Sequence, residues 1–127
     1  MSLLHDFLHD EISPADFDHR SHVVVAHELL RHHDFNEAHD AYVRHLKSLT
    51  IRAGVPEKFN ATITFAAMSL IAERMDDKDI QDVNDFLNAN PDLLSAKSFV
   101  SGYTKERLNS SLARRIPLLP DTRPNAD

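Results

Sequence analysis

Residues 57–75 read EKFNATITFAAMSLIAERM, and their hydrophobic pattern decides the fold. Laid on a 3.6-residue period, the stretch is apolar nearly all round, and a helix of that kind has to be enclosed by other elements. It is expected to be the central helix of a bundle, with Ile63, Phe65 and Leu70 in the core. Pro56 can open it, because a proline at the first helical position lacks only an N–H that would be unpaired there anyway.

The flanking segments supply the rest of a bundle. Gly54, with Pro56 just beyond, ends a preceding helix that opens at Asp34-Phe35-Asn36-Glu37, a cap-x-x-Glu signature. Before it a second helix should run to about His33. It begins either at the capping-box-like Ser13-Pro14-Ala15-Asp16 or later, near Asp18 to Ser21. Leu3, Leu4, Phe7, Leu8 and Ile12 recur at helical spacing and give a short first helix.

After the central helix, Asp76-Asp77-Lys78-Asp79 is a polar break. Ile80, Val83, Phe86 and Leu87 then mark a fifth, shorter helix ending before Pro91. Thr104 caps a last helix carrying Leu108 and Leu112. The end, IPLLPDTRPNAD, has three prolines in its twelve residues and should be extended, its last residues mobile. The expected fold is all-α, a single-domain bundle of five to six helices over 1–118, followed by an extended Pro-rich tail at 119–127.

Composition agrees. A chain of 127 residues suits one domain, and 42% hydrophobic with 27% charged residues is ordinary globular usage. Two glycines are too few for a sheet of tight hairpins. The absence of cysteine excludes disulfides, thiolate ligands and a cysteine nucleophile. A net charge of −6 repels phosphate backbones, and the basic cluster of Lys105, Arg107, Arg114 and Arg115 is too small to reverse it, so no nucleic acid partner is expected. No apolar run reaches the roughly 18–20 residues of a membrane span. The opening MSLLHDFLHDEI lacks the basic start of a signal peptide, and a cytoplasmic location is expected.

Chemistry has to come from the nine histidines, five of which fall in FDHRSHVVVAHELLRHH at 17–33. Val23, Ala26, Leu29 and Leu30 mark the buried side of that helix. His19, His22 and His33 lie within about 60° of its centre, His27 sits at its edge and His32 points away. HELLRH is no zincin motif, since His27 and His32 are five apart and cannot reach one metal from one face. Glu28 and His32, four apart, read as an exposed ion pair. His19 and His22, three apart and facing inward, can converge on one ion, and His45 lies mid-stripe on the next helix. A narrow polar line of Thr62, Ser69 and Glu73 marks the central helix. His5, His9 and His39 read as solvent-facing. Gly54 and Gly102 alone make no phosphate loop, and the acids at 76–82 lack the glycine and terminal glutamate of an EF-hand.

Four segments, FDHRSHVVVAHELL, GVPEKFNATITFAAMSLIAERM, FLNANPDLL and GYTKERLNSSLARRIPLLPD, in this order resemble a family of small bacterial helical proteins of unassigned function. That family's pattern has a His-x-x-His stretch, a Lys-Tyr-His-Glu-Thr-Ile-Thr-like motif, Asn-Pro-Asp/Glu-Leu-Leu, and a closing Tyr, Ala-Arg and Leu-Pro-Asp. The likeness covers about residues 17–121. His19 and His22 match the first motif, Thr62-Ile63-Thr64 the second, Tyr103 and Ala113-Arg114 the last. Where the family has Tyr-His-Glu this chain has Phe59-Asn60-Ala61, so either the implied site is lost or His45 stands in.

Two readings follow. In one, the protein binds a divalent metal (Zn²⁺, Ni²⁺ or Fe²⁺, as suits imidazole) through His19, His22 and His45, with Asn60, Thr64, Glu73 and Tyr103 lining the pocket. In the other it is a non-catalytic helical interaction module, a homodimer, whose histidines are structural. No reaction and no small-molecule ligand are assigned.

Overall fold

The computed structural model describes residues 2–76 and 82–122. They form one small all-α domain with no strand among the described residues. The helices are α1 (Leu3–Leu8), α2 (His19–His32), α3 (Phe35–Arg52), α4 (Ala61–Arg74), α5 (Val83–Ala89), α6 (Lys105–Leu108) and α7 (Ser111–Arg115). Short 3₁₀ turns lie at Pro14–Asp16, Pro56–Lys58, Pro91–Leu94 and Ala96–Val100. No helix among the described residues is long and apolar enough to cross a membrane.

Local chemistry sets the ends. Asp18 caps α2 by accepting from the Ser21 amide at 2.9 Å, so the helix takes the later of its two possible starts. Pro14 opens only a 3₁₀ turn, and Ser13 makes no capping bond. Asp34 caps α3 through the Glu37 amide at 2.8 Å, as the signature implies. The same helix stops at Gly54, whose φ of 77° lets the Val55 amide turn back onto the Thr50 carbonyl at 2.9 Å.

α4 touches α2, α3, α7 and the Ala96–Val100 turn, which is the central position its composition requires. Its buried face is Ala61, Thr62, Thr64, Ala67, Met68 and Ile71. Phe65 is a correction: it is 36% exposed and stands edge-on to Phe35 at 5.9 Å between ring centres. Ile63 and Leu70 are only half-buried. The helix is smaller on its inner face than an all-apolar pattern suggests, because alanines and threonines let its neighbours approach closely.

Three further differences have local causes. The last helix is two short ones, since Ser110 starts α7 afresh by accepting from the Ala113 amide at 3.1 Å. His27 is not an edge residue but fully buried, because α5 lays Phe86 against it at 4.7 Å and widens the buried face of α2. His33 is exposed, because the chain leaves the helix there in an extended conformation. Ile80, most of the polar break at 76–79 and the end of the tail, with its expected mobility, lie outside the described residues.

From Pro117 to Thr122 the chain forms no helix, and it is tied to the bundle. The buried Thr62 hydroxyl lies 2.9 Å from the carbonyls of both Ala113 and Ile116 and accepts from the Leu118 amide at 3.0 Å. Tyr103 donates to the Leu118 carbonyl at 2.8 Å. The Asp121 carboxylate accepts from the Thr104 amide and hydroxyl at 2.8 and 2.7 Å. These bonds hold the Asp121 carboxyl below the usual carboxylate range.

Candidate functional site

A cavity of about 220 Å³ lies between α2, α3, α4 and the Ala96–Val100 turn. Val23, Leu46, Ile63, Ala67, Ile71 and Phe99 make most of its wall, and His19, His22, Asn60, Thr64 and Lys58 supply polar groups. Each polar group can be judged by whether its hydrogen-bonding capacity is occupied or open.

Asn60 is occupied. It caps α4 by accepting from the Ile63 amide at 2.9 Å and donates to the Leu108 carbonyl at 2.8 Å. Thr64 donates back to the Asn60 carbonyl at 2.8 Å. Both line the cavity, as helix-end structure more than as free ligands.

The two histidines are different. His19 Nε2 lies 2.9 Å from the Leu93 carbonyl, which can only accept, so Nε2 carries the proton. Its Nδ1 has no hydrogen-bond partner among the described residues and presents a lone pair. Phe99, 5.4 Å away between ring centres, steadies the ring. One turn further along α2, His22 packs on Phe17 at 4.4 Å. Tyr42 donates to the His22 carbonyl at 3.1 Å and reaches to 3.5 Å from its Nδ1, leaving His22 Nε2 without a partner among the described residues. Burial first, and the neighbouring His19 second, lower the His22 pKa to about 4, with Asp18 opposing. His22 is therefore a neutral imidazole at pH 7. Burial likewise raises the Tyr42 hydroxyl far above its ordinary value and keeps it protonated.

The remaining expected residues are elsewhere. His45 does not line the cavity. Its Nδ1 pairs with Asp10 at 3.0 Å and its ring leans on Phe7 at 5.5 Å. Among the described residues the ring nitrogens of His19, His22 and His45 do not gather within 4.8 Å of one another. Glu73 is exposed and borders an open groove beside Phe35 and Phe65. Tyr103 belongs to the tail contact. The Glu28 carboxylate and the His32 ring stand 3.7 Å apart, with Arg31 also reaching Glu28 at 3.4 Å.

Two further histidines were not expected to be buried. His27 is 0% exposed, neither ring nitrogen has a partner among the described residues, and burial lowers its pKa against the pull of Glu28. His39 is half-buried beside Phe35 and Phe65, and burial lowers its pKa too. Their positions on the helices carried no signal, because the covering residues come from α5 and from the α3–α4 crossing.

No family model, curated protein or solved structure matches the chain.

Proposed function

We propose that the chain binds a small, largely apolar molecule in the cavity between α2, α3 and α4, with His19 and His22 as its polar contacts. The supporting observation is that two histidines one turn apart share the wall of a mostly apolar space, each with a ring nitrogen that has no partner among the described residues. Concave apolar spaces with a few converging polar groups are the usual form of a small-molecule site. A calorimetric titration with toluene and with p-cresol tests the reading. Toluene fills the space alone, whereas the cresol hydroxyl can also donate to a neutral imidazole. Saturable binding of both, tighter for p-cresol, with the preference reduced in His22→Ala, is expected. Failure of both to bind would end the proposal.

The His19–Leu93 bond favours a second reading, in which the pair holds a divalent cation. A ligating histidine commonly donates its other ring N–H to a backbone carbonyl, which fixes the ring and leaves one nitrogen for the metal. Two imidazoles would leave the remaining positions of Zn²⁺, Ni²⁺ or Fe²⁺ to the bound molecule or to water. Equilibrium dialysis against Zn²⁺ should then give about one ion per chain, lost in His22→Ala and kept in His45→Ala. Equal retention in all three proteins would remove the cation from the account.

A further inference from the structure

Beside the cavity, and sharing Thr50 and Phe59 with it as wall, lies a groove edged by Lys47, Arg114 and Arg115. Glu57 is the one acid lining it among the described residues. The three cations come from two separate elements, α3 and the end of α7. Their backbone is anchored: Ala113, next to Arg114, is fully buried and its carbonyl meets the Thr62 hydroxyl at 2.9 Å. Lys47 is held over the Phe59 ring, its ammonium 5.3 Å from the ring centre. The chain has 20 acidic side chains for 14 basic ones, so an exposed cation has acids to choose from. None of these three forms an ion pair within 4.0 Å among the described residues. A fourth cation, Lys58, lines the cavity itself.

We propose that the molecule bound in the cavity carries a carboxylate, which Lys47, Arg114 and Arg115 hold in the adjoining groove past Phe59. The inference rests on the cavity being a binding site and names the class of its ligand: a small aromatic or branched carboxylic acid. Size supports the apolar half. An engineered cavity of about 150 Å³ holds benzene. The 220 Å³ here leaves room for a substituted ring or an aliphatic group of like bulk. Charge supports the other half. Guanidinium forks match carboxylate geometry with two parallel hydrogen bonds, and three unpaired cations on a chain of net charge −6 make a local site for an anion. Phe59, common to both spaces, would then contact the ligand where its apolar body gives way to its charged end.

The test compares 4-phenylbutyrate with 4-phenylbutan-1-ol, which has the same body and no charge, by calorimetry at low salt. Wild type should bind the acid roughly ten-fold or more tightly than the alcohol, the size of a hydrogen bond to a charged group. Arg114→Ala with Arg115→Ala, both exposed positions, should remove that preference and leave the alcohol unchanged. Added sodium chloride should weaken the acid alone. Ala67→Leu, which narrows the cavity, should weaken both compounds. If the alcohol binds as well as the acid, or the arginine variant keeps the preference, the carboxylate assignment is overturned while the cavity reading stands. If neither compound binds although toluene does, the ligand class is wrong. If toluene also fails, the cavity reading falls with it.

Discussion

The cavity and the tail contact lie on opposite sides of α4, and each brings polar side chains up to that largely apolar helix. They differ in how completely those side chains are used. At the tail, Thr62 serves three backbone partners, and Tyr103 and Asp121 each close a bond across the chain. Little capacity is left for anything else, so these residues read as structure. In the cavity, His19 and His22 are half-buried, and each keeps a ring nitrogen without a hydrogen-bond partner among the described residues. A nitrogen of that kind can bond water or a ligand, so these two residues are available as contacts in a way that the tail residues are not. Residue types alone do not separate the two regions.

The strongest test of the difference is acid. The folded His22 titrates near 4, below its ordinary 6.5, so the unfolded chain takes up the proton first. Its contribution is complete above pH 6.5 and is lost as pH falls toward 4, by up to about 3 kcal/mol. His27 and His39, also lowered, act in the same direction. Urea unfolding between pH 7 and 4.5 should show a falling stability that flattens in His22→Gln. The double change His5→Gln with His9→Gln should leave the curve as it was. An unchanged slope in His22→Gln would mean that its ring is open to water.

Next in size is Thr62→Val, which keeps the shape and removes the hydroxyl. Because the Leu118 amide and two carbonyls lose their partner, the variant should lose about 1–3 kcal/mol. Its affinity for toluene should stay within two-fold of wild type. A large drop in affinity at unchanged stability would show that tail and cavity are coupled. Tyr103→Phe loses a single bond to the Leu118 carbonyl and should cost about 1 kcal/mol by thermal unfolding. The smallest effect belongs to His45→Gln: as the residue faces Asp10 and Phe7, cavity binding should not change at all.

These contrasts explain what could be read before the fold was in view. Period and caps located α2 and α3, because Asp18, Asp34 and Gly54 act within a few residues of their own position; the apolar period found α4, but the helix starts at Ala61 behind the Asn60 cap and Pro56 opens only a 3₁₀ turn. The inward pair His19 and His22 followed from the same local geometry. His45 did not, since its stripe is divided between the cavity and α1, and only tertiary packing decides which neighbour it meets. Thr62 and Tyr103 were legible as unusual residues but not as tail ties, because their partners stand roughly fifty and fifteen positions away. Phe65 misled because an apolar period marks burial only where a neighbouring element covers it. His27 misled in the opposite sense, with Phe86 of α5 supplying the cover.

The central claim is that the cavity takes up a molecule and that its two histidines meet it with open nitrogens. The most direct measurement is an NMR titration with p-cresol at pH 7, following side-chain methyls and histidine ring nitrogens together. Saturable shifts confined to Val23, Leu46, Ile63, Ala67 and Ile71 are expected, with the ring nitrogens of His19 or His22 moving along the same curve while His27 and His45 stay still. Absence of saturation, or shifts spread equally over the exposed Phe65 groove and the tail, would contradict it.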